Sequence, residues 1–132
     1  MALQTLYDVP TLTISYDHVN NWLYLDWHGA LDDESVMAGG LKLLELLKQE
    51  NCRKVLNDNA RITGLWADAA KWGSDVMMPL LHDAGCRYLA WVYSPERFSQ
   101  LSAQLAAERT TASITIMTFR DRDTAAEWLQ RM

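Results

Sequence analysis

Most of the signatures that assign a chemistry are missing from this 132-residue sequence. No apolar run approaches the roughly 20 residues that cross a bilayer. The opening segment Met1–Pro10 has neither the basic nor the apolar stretch of a signal peptide, so none is expected. Basic residues are in deficit: 12 Lys and Arg stand against 17 Asp and Glu, a net charge of −5. That balance disfavours nucleic acid, whose phosphates ask for a basic surface, and disfavours docking on anionic lipid. Cysteine is scarce. Cys52 and Cys86 are far apart beside predicted strands, and are read as free buried thiols of a cytoplasmic protein rather than a disulfide. His18 and His82 have no partner at metal-ligand spacing. No GxSxG, CxxC, HExxH, Walker or GxGxxG pattern occurs. No enzyme motif, cofactor or metal is therefore expected.

What is present is an ordinary globular composition, 49% hydrophobic and 22% charged, sized for one domain over residues 1–132. Six tryptophans supply large apolar area, and most should be core. Leu12–Tyr16 alternates apolar and polar residues as a half-buried strand does. The Asn- and Asp-rich Asp17–Asn21 turn leads to a second strand, Trp22–Trp27, and so to an antiparallel hairpin. Asp32 is the expected N-cap of a helix reaching about Glu50, with Asp33 and Glu34 in its first turn. Gly39-Gly40 within it suggests close packing of helix on sheet. A second helix spans about Trp66 to Asp83, where Pro79 must kink or divide it. Its Met77–Leu81 run is apolar on every side, so it is either deeply buried or a surface for a second copy of the chain. Tyr88–Tyr93 reads as an interior strand covered on both faces. Ser94-Pro95-Glu96 reads as a helix start, with Ser94 as cap. That helix carries Phe98, Leu101 and Leu105. Ser113–Phe119 is a further strand, and Thr124 to Glu127 fits a capping box opening a last helix.

The order ββαβαβαβα predicts an α/β fold: a five-stranded mixed, mostly parallel sheet packed with four helices. Its centre is Lys54–Trp66. A short strand, Lys54-Val55-Leu56, is expected to break into a polar turn at Asn57-Asp58-Asn59, pass Arg61 and Thr63, and launch a helix near Trp66. Strand ends of this kind are where open α/β sheets place ligands. Asn57, Asp58, Asn59 and Arg61 either hold the turn or form a polar site shared with Tyr93, Ser94 and Arg120. Trp66 is either core or an exposed aromatic anchor. Asp26 and His28 share a strand face and could orient an imidazole, although no nucleophile stands beside them.

Gly29-Ala30-Leu31-Asp32, between a strand and a helix, resembles the Gly-x-Leu-Asp turn of the STAS superfamily, the SpoIIAA-like domains. Val55-Leu56-Asn57-Asp58 through Ile62-Thr63-Gly64 is similar to that family's second strand and following loop, and the element order agrees from Leu12 to Leu129. The run from Asn57-Asp58-Asn59 to Trp91-Val92-Tyr93-Ser94-Pro95 is similar to stand-alone bacterial STAS-like proteins of mostly unassigned role. The resemblance implies a SpoIIAA-like fold and a non-enzymatic regulatory module that meets a protein partner or small ligand, probed around residues 57–66, with a homodimer in view. Where antagonists of the family carry Asp-Ser-Ser/Thr-Gly with a phosphorylated hydroxyl, this chain has Arg61-Ile62-Thr63-Gly64. Only Thr63 offers a hydroxyl there. By fold analogy the alternative is a carrier of a small apolar or lipid-like molecule of CRAL-TRIO type, its pocket lined by Met77–Leu81 and the tryptophans.

Overall fold

In the computed structural model, which describes residues 2–110 and 113–132, six strands form one sheet in the order of the chain. They are β1 (Leu3–Val9), β2 (Leu12–Asp17), β3 (Trp22–Ala30), β4 (Lys54–Thr63), β5 (Tyr88–Val92) and β6 (Thr115–Phe119). The expected five strands are thus six. β1 adds an antiparallel edge to β2, and its register slips between Thr5 and Tyr7. β2 and β3 form the expected hairpin. Asn21 takes the left-handed conformation, and Asp17 accepts bonds from the Val19 and Asn20 amides, which is what a turn asks of Asn and Asp. From β3 to β6 every pairing is parallel.

This stepwise parallel order decides where the helices go. Right-handed crossovers that always advance in one direction put their helices on one face of the sheet. That face carries α1 (Asp33–Glu50), α2 (Ala67–Trp72), a π-helical turn (Gly73–Met77), α3 (Met78–Asp83) and α4 (Arg97–Arg109), packed on one another. α5 (Arg122–Arg131) follows the last strand and lies against β4, β5 and β6 instead. There Trp128 meets Tyr88 and Phe119, and the Lys54 ammonium donates to the Leu129 carbonyl at 2.9 Å.

α2, the π turn and α3 run on without a break, so the helical bodies among the described residues are four. Pro79 has no N–H to give the preceding turn. The helix widens just ahead of it, where the Met78 amide bonds the Gly73 carbonyl five residues back. Asp32 caps α1 through the Ser35 amide as expected. Gly39 lies where any side chain would collide with the Trp27 ring and Leu12. Two other caps differ from the sequence reading. Glu96, not Ser94, caps α4 by accepting from the Ser99 amide at 2.8 Å. Asp121, not Thr124, caps α5, and Thr124 returns both its amide and its hydroxyl to that carboxylate. Carboxylates are the stronger acceptors for the partly charged amides of a helix start.

β5 is buried from Leu89 to Val92, as an interior strand should be. Of the Met77–Leu81 run, Met77, Met78 and Leu81 are core, and Leu80 is exposed. Cys52 and Cys86 are free and buried. Among the described residues no helix is long and apolar enough to cross a membrane.

Candidate functional site

β4 differs most from expectation. It does not break at Asn57-Asp58-Asn59; it continues as a strand to Thr63, ten residues in all. Pairing with β3 as far as Ala30 outweighs the turn preference of Asn and Asp, and a register shift between Asp26 and His28 absorbs the mismatch. The polar cluster therefore divides between the two faces of the sheet. Asn57 and Asn59 point to the α1–α2–α4 side. Asn57 accepts from the Trp27 indole N–H at 2.8 Å. Asn59, 3% exposed, lines a cavity of about 80 Å³ walled by Trp27, Trp66, Trp91 and Met77.

Asp58 and Arg61 belong to the α5 side. Asp58 is buried; it accepts from the Tyr24 hydroxyl at 2.8 Å and from the Ala60 amide at 3.0 Å. Burial pushes the Tyr24 hydroxyl up to about 12, with the Asp58 charge adding and the Arg122 guanidinium opposing. Arg122 stands over the Tyr24 ring at 5.8 Å. Arg61 bonds Asp26 at 2.8 Å, and that carboxylate raises its pKa. The Asp26–His28 pair is 3.7 Å apart, too long for a hydrogen bond, because Arg61 holds the acid.

A raised phenol pKa has a stability consequence. Tyr24 gives up its proton near 10 when unfolded and near 12 when folded. Its contribution is complete below pH 10 and is lost as pH rises toward 12, because only the unfolded chain releases the proton across that window. The loss is on the order of 2–3 kcal/mol. Cys86, also pushed up to about 12 by burial, adds to the alkaline loss from pH 9 upward. Tyr24→Phe should flatten the pH 10–12 part of a urea-unfolding series. At neutral pH it should cost about 1–3 kcal/mol, since Asp58 loses its donor. An unchanged alkaline slope would contradict this account.

Past the strand, Thr63 is exposed and its carbonyl accepts from the Leu31 amide at 2.9 Å. It ends a strand rather than standing at a helix start, since α2 begins at Ala67. The loop that follows is fastened to α4 at three points. The Gly64 amide reaches Glu96 at 3.4 Å, Ser99 donates to the Gly64 carbonyl at 2.8 Å, and the Trp66 amide donates to Ser102 at 3.2 Å. Ser94 is buried and spent: it donates to the Ile62 carbonyl at 2.6 Å and accepts from the Glu96 amide at 3.0 Å. Tyr93 is half-buried, with Arg120 and Gln100 on a cleft of about 380 Å³ at the ends of β5 and β6. Trp66 is core, 4% exposed and nearly parallel to Trp91 at 6.5 Å between centroids.

The sequence reading missed what lies outside this loop. Leu65, between two pinned residues, is 59% exposed, and α4 presents Phe98, Leu101 and Leu105 outward. Its buried side is Ser99, Ser102, Ala103 and Ala106. Small residues let α4 come close enough to bond the loop, so the large apolar side chains are turned to the surface. The signal was present in the spacing of Ser99, Ser102, Ala103 and Ala106, which is as helical as that of the leucines. Among the described residues no three His, Cys, Asp or Glu side chains gather as a metal site. The 80 Å³ cavity is lined as a carrier pocket would be, but it is well below the roughly 300–1,000 Å³ of drug-sized sites and has no room for a lipid chain.

No protein-family model and no curated protein matches the sequence. Among solved structures, the chain is similar to SiaC of Pseudomonas aeruginosa in two structures. One is 16% identical over 90% of this chain and 100% of that one, with a TM-score of 0.49. The other, apo-SiaC, is 18% identical over 89% and 99%, with a TM-score of 0.49. It is also similar to an uncharacterized protein of the DUF3478 family with a SpoIIAA-like fold from Shewanella loihica, 19% identical over 96% of this chain and 99% of that one, with a TM-score of 0.58. The six-stranded mixed sheet, with α1 to α4 on one face and α5 on the other, is thus a SpoIIAA-like fold.

Proposed function

We propose that residues 1–132 act as one non-enzymatic recognition module whose working surface is Thr63 and Leu65 with the outward side of α4. One observation carries the reading. Leu65, Phe98 and Leu101 are 59%, 57% and 49% exposed, yet they stand on backbone that hydrogen bonds hold in place. Large apolar side chains presented rigidly at the surface lose little freedom on binding, and such residues anchor protein interfaces. Arg97 on α4 is exposed, and so is Arg120, which shares a cleft with Gln100 of that helix, on a chain that is acidic as a whole. The partner that fits is another protein offering apolar anchors with carboxylates at their edge. Asn57, Asp58, Asn59, Ser94 and Trp66 support this surface from within; the accessible members of the original cluster are Arg61, Thr63 and, in part, Tyr93.

The test starts with a photo-crosslinking amino acid in place of Leu65, used in the cells that make the protein. The captured protein is then purified and titrated calorimetrically against the wild-type chain and Leu65→Asp/Phe98→Asp. An interface centred here predicts a loss of about 30-fold or more in affinity. Both positions are exposed, so the unfolding midpoint should barely move. Equal affinity for the double variant, or crosslinks only to a second copy of the chain, would overturn the reading of a distinct protein partner.

A further inference from the structure

We propose that the cavity between β4–β5 and the helices α1, α2 and α4 is a binding site for a very small uncharged molecule. Such a molecule is mainly apolar and carries one oxygen that accepts hydrogen bonds, as a short-chain ketone does. Four tryptophans, Trp27, Trp66, Trp72 and Trp91, line this space. The Trp27 N–H is used, donating to Asn57. Those of Trp66 and Trp91 are not: both are fully buried, and neither has a hydrogen-bond partner among the described residues. Each ring is 4% exposed. Burying a donor without an acceptor is costly, and native structures rarely do it without a reason. Here the two tryptophans that carry these donors line the same space, and the amide-bearing Asn59, itself 3% exposed, lines it too.

The backbone around the cavity is unusual as well. Gly73 and Met77, the two ends of the π-helical turn, line it. π turns inside α-helices recur at functional sites. The less buried part of the wall includes Val36, Gly40, Trp72 and Gly73, which places the way in between α1 and the π turn. A side chain at Gly40 would press on the Trp72 ring at 3.1 Å, so glycine lets that ring pack directly on α1, and Trp72 is the side chain that must swing to admit a ligand.

Volume and lining choose the ligand class. About 80 Å³ is roughly half the 150 Å³ engineered cavity that takes up benzene, so the ligand is smaller than an aromatic ring. Walls built from Leu25, Leu43, Ala70, Met78 and Leu81 disfavour a charge. The two indole N–H groups donate only, so the ligand must accept.

Acetone and isobutene have the same shape, and acetone alone carries an acceptor. They are added in turn to the isotope-labelled protein, and the six indole N–H resonances are followed, assigned with Trp→Phe variants. The expected result is a saturable shift of the Trp66 and Trp91 signals with acetone and a weaker response to isobutene. Trp66→Phe, which keeps a ring in place, should weaken acetone by about fivefold and leave isobutene unchanged. Ala106→Val, which fills part of the space, should weaken both by about tenfold while the fold is retained. Uniform drift of all six signals without saturation would overturn the proposal. So would long-lived water on the Trp66 and Trp91 protons that acetone fails to displace, because the cavity would then be a hydration site only.

Discussion

Alanine at Gly64 should cost the protein about 3–5 kcal/mol and lower its melting temperature by roughly 10–20 °C. Two effects add. Gly64 has φ +105°, where a side chain is strained by about 1–3 kcal/mol. Its added carbon would also stand 2.5 Å from the Leu31 carbonyl oxygen and 3.1 Å from the Leu31 nitrogen. Backbone cannot rotate aside as a flexible side chain can, so a further 1–3 kcal/mol or so is expected. Leu31 is held by its own bond to Thr63, and Gly64 by Ser99 and Glu96, so neither can yield without releasing the loop from α4. Gly29→Ala separates the two contributions. Gly29 also has positive φ, +78°, but nothing lies within 4 Å of the carbon that alanine would add. Its cost should be the conformational part alone, about 1–2 kcal/mol. Urea unfolding of both variants, with equal m-values, measures the difference. Equal costs would mean that the close approach to Leu31 is not what fixes Gly64.

Where local signals and tertiary pairing agreed, the sequence reading located the element: the Asp17–Asn21 turn, the Asp32 cap, the interior strand at Tyr88–Val92 and the parallel crossovers. It lost β1 for a physical reason. Leu3, Leu6, Tyr7 and Val9 do not alternate, because the register slips between Thr5 and Tyr7, and an edge strand buries too little to show a period. It took Asn57-Asp58-Asn59 for a turn because Asn and Asp favour turns wherever nothing else competes. Here β3 and β5 flank the strand and the side chains find partners across it: Trp27 for Asn57, Tyr24 for Asp58. Such partners lie about 30 residues away in the chain, beyond any local window. The region of the candidate site was legible; which of its residues face solvent was not. Leu65 and Trp66 show this most sharply, since hydropathy alone treats both as candidates for burial and only the fastening of the loop to α4 decides between them.

That pair yields the second large prediction. Trp66→Ala should cost about 3–5 kcal/mol, the range for emptying a large aromatic position in a core. The ring is 4% exposed, packs beside Trp91 and forms part of the wall of an existing cavity, so its removal enlarges a void that the sheet cannot collapse to fill. Trp66→Phe should cost little, within about 1 kcal/mol. It gives up some volume, and it also removes an indole N–H that is buried without a partner, a group whose burial costs about 1–3 kcal/mol in its own right. Leu65→Asp, one residue earlier, should leave stability nearly unchanged, because that side chain is 59% exposed. Chemical denaturation of the three variants provides the comparison. If Trp66→Ala were as mild as Leu65→Asp, Trp66 would be a surface residue, and both the buried cavity and the pinned loop would have to be abandoned. If Trp66→Phe were as damaging as Trp66→Ala, the indole N–H would have a partner in solution, and the case for an acceptor-bearing ligand would fall while the packing argument stood.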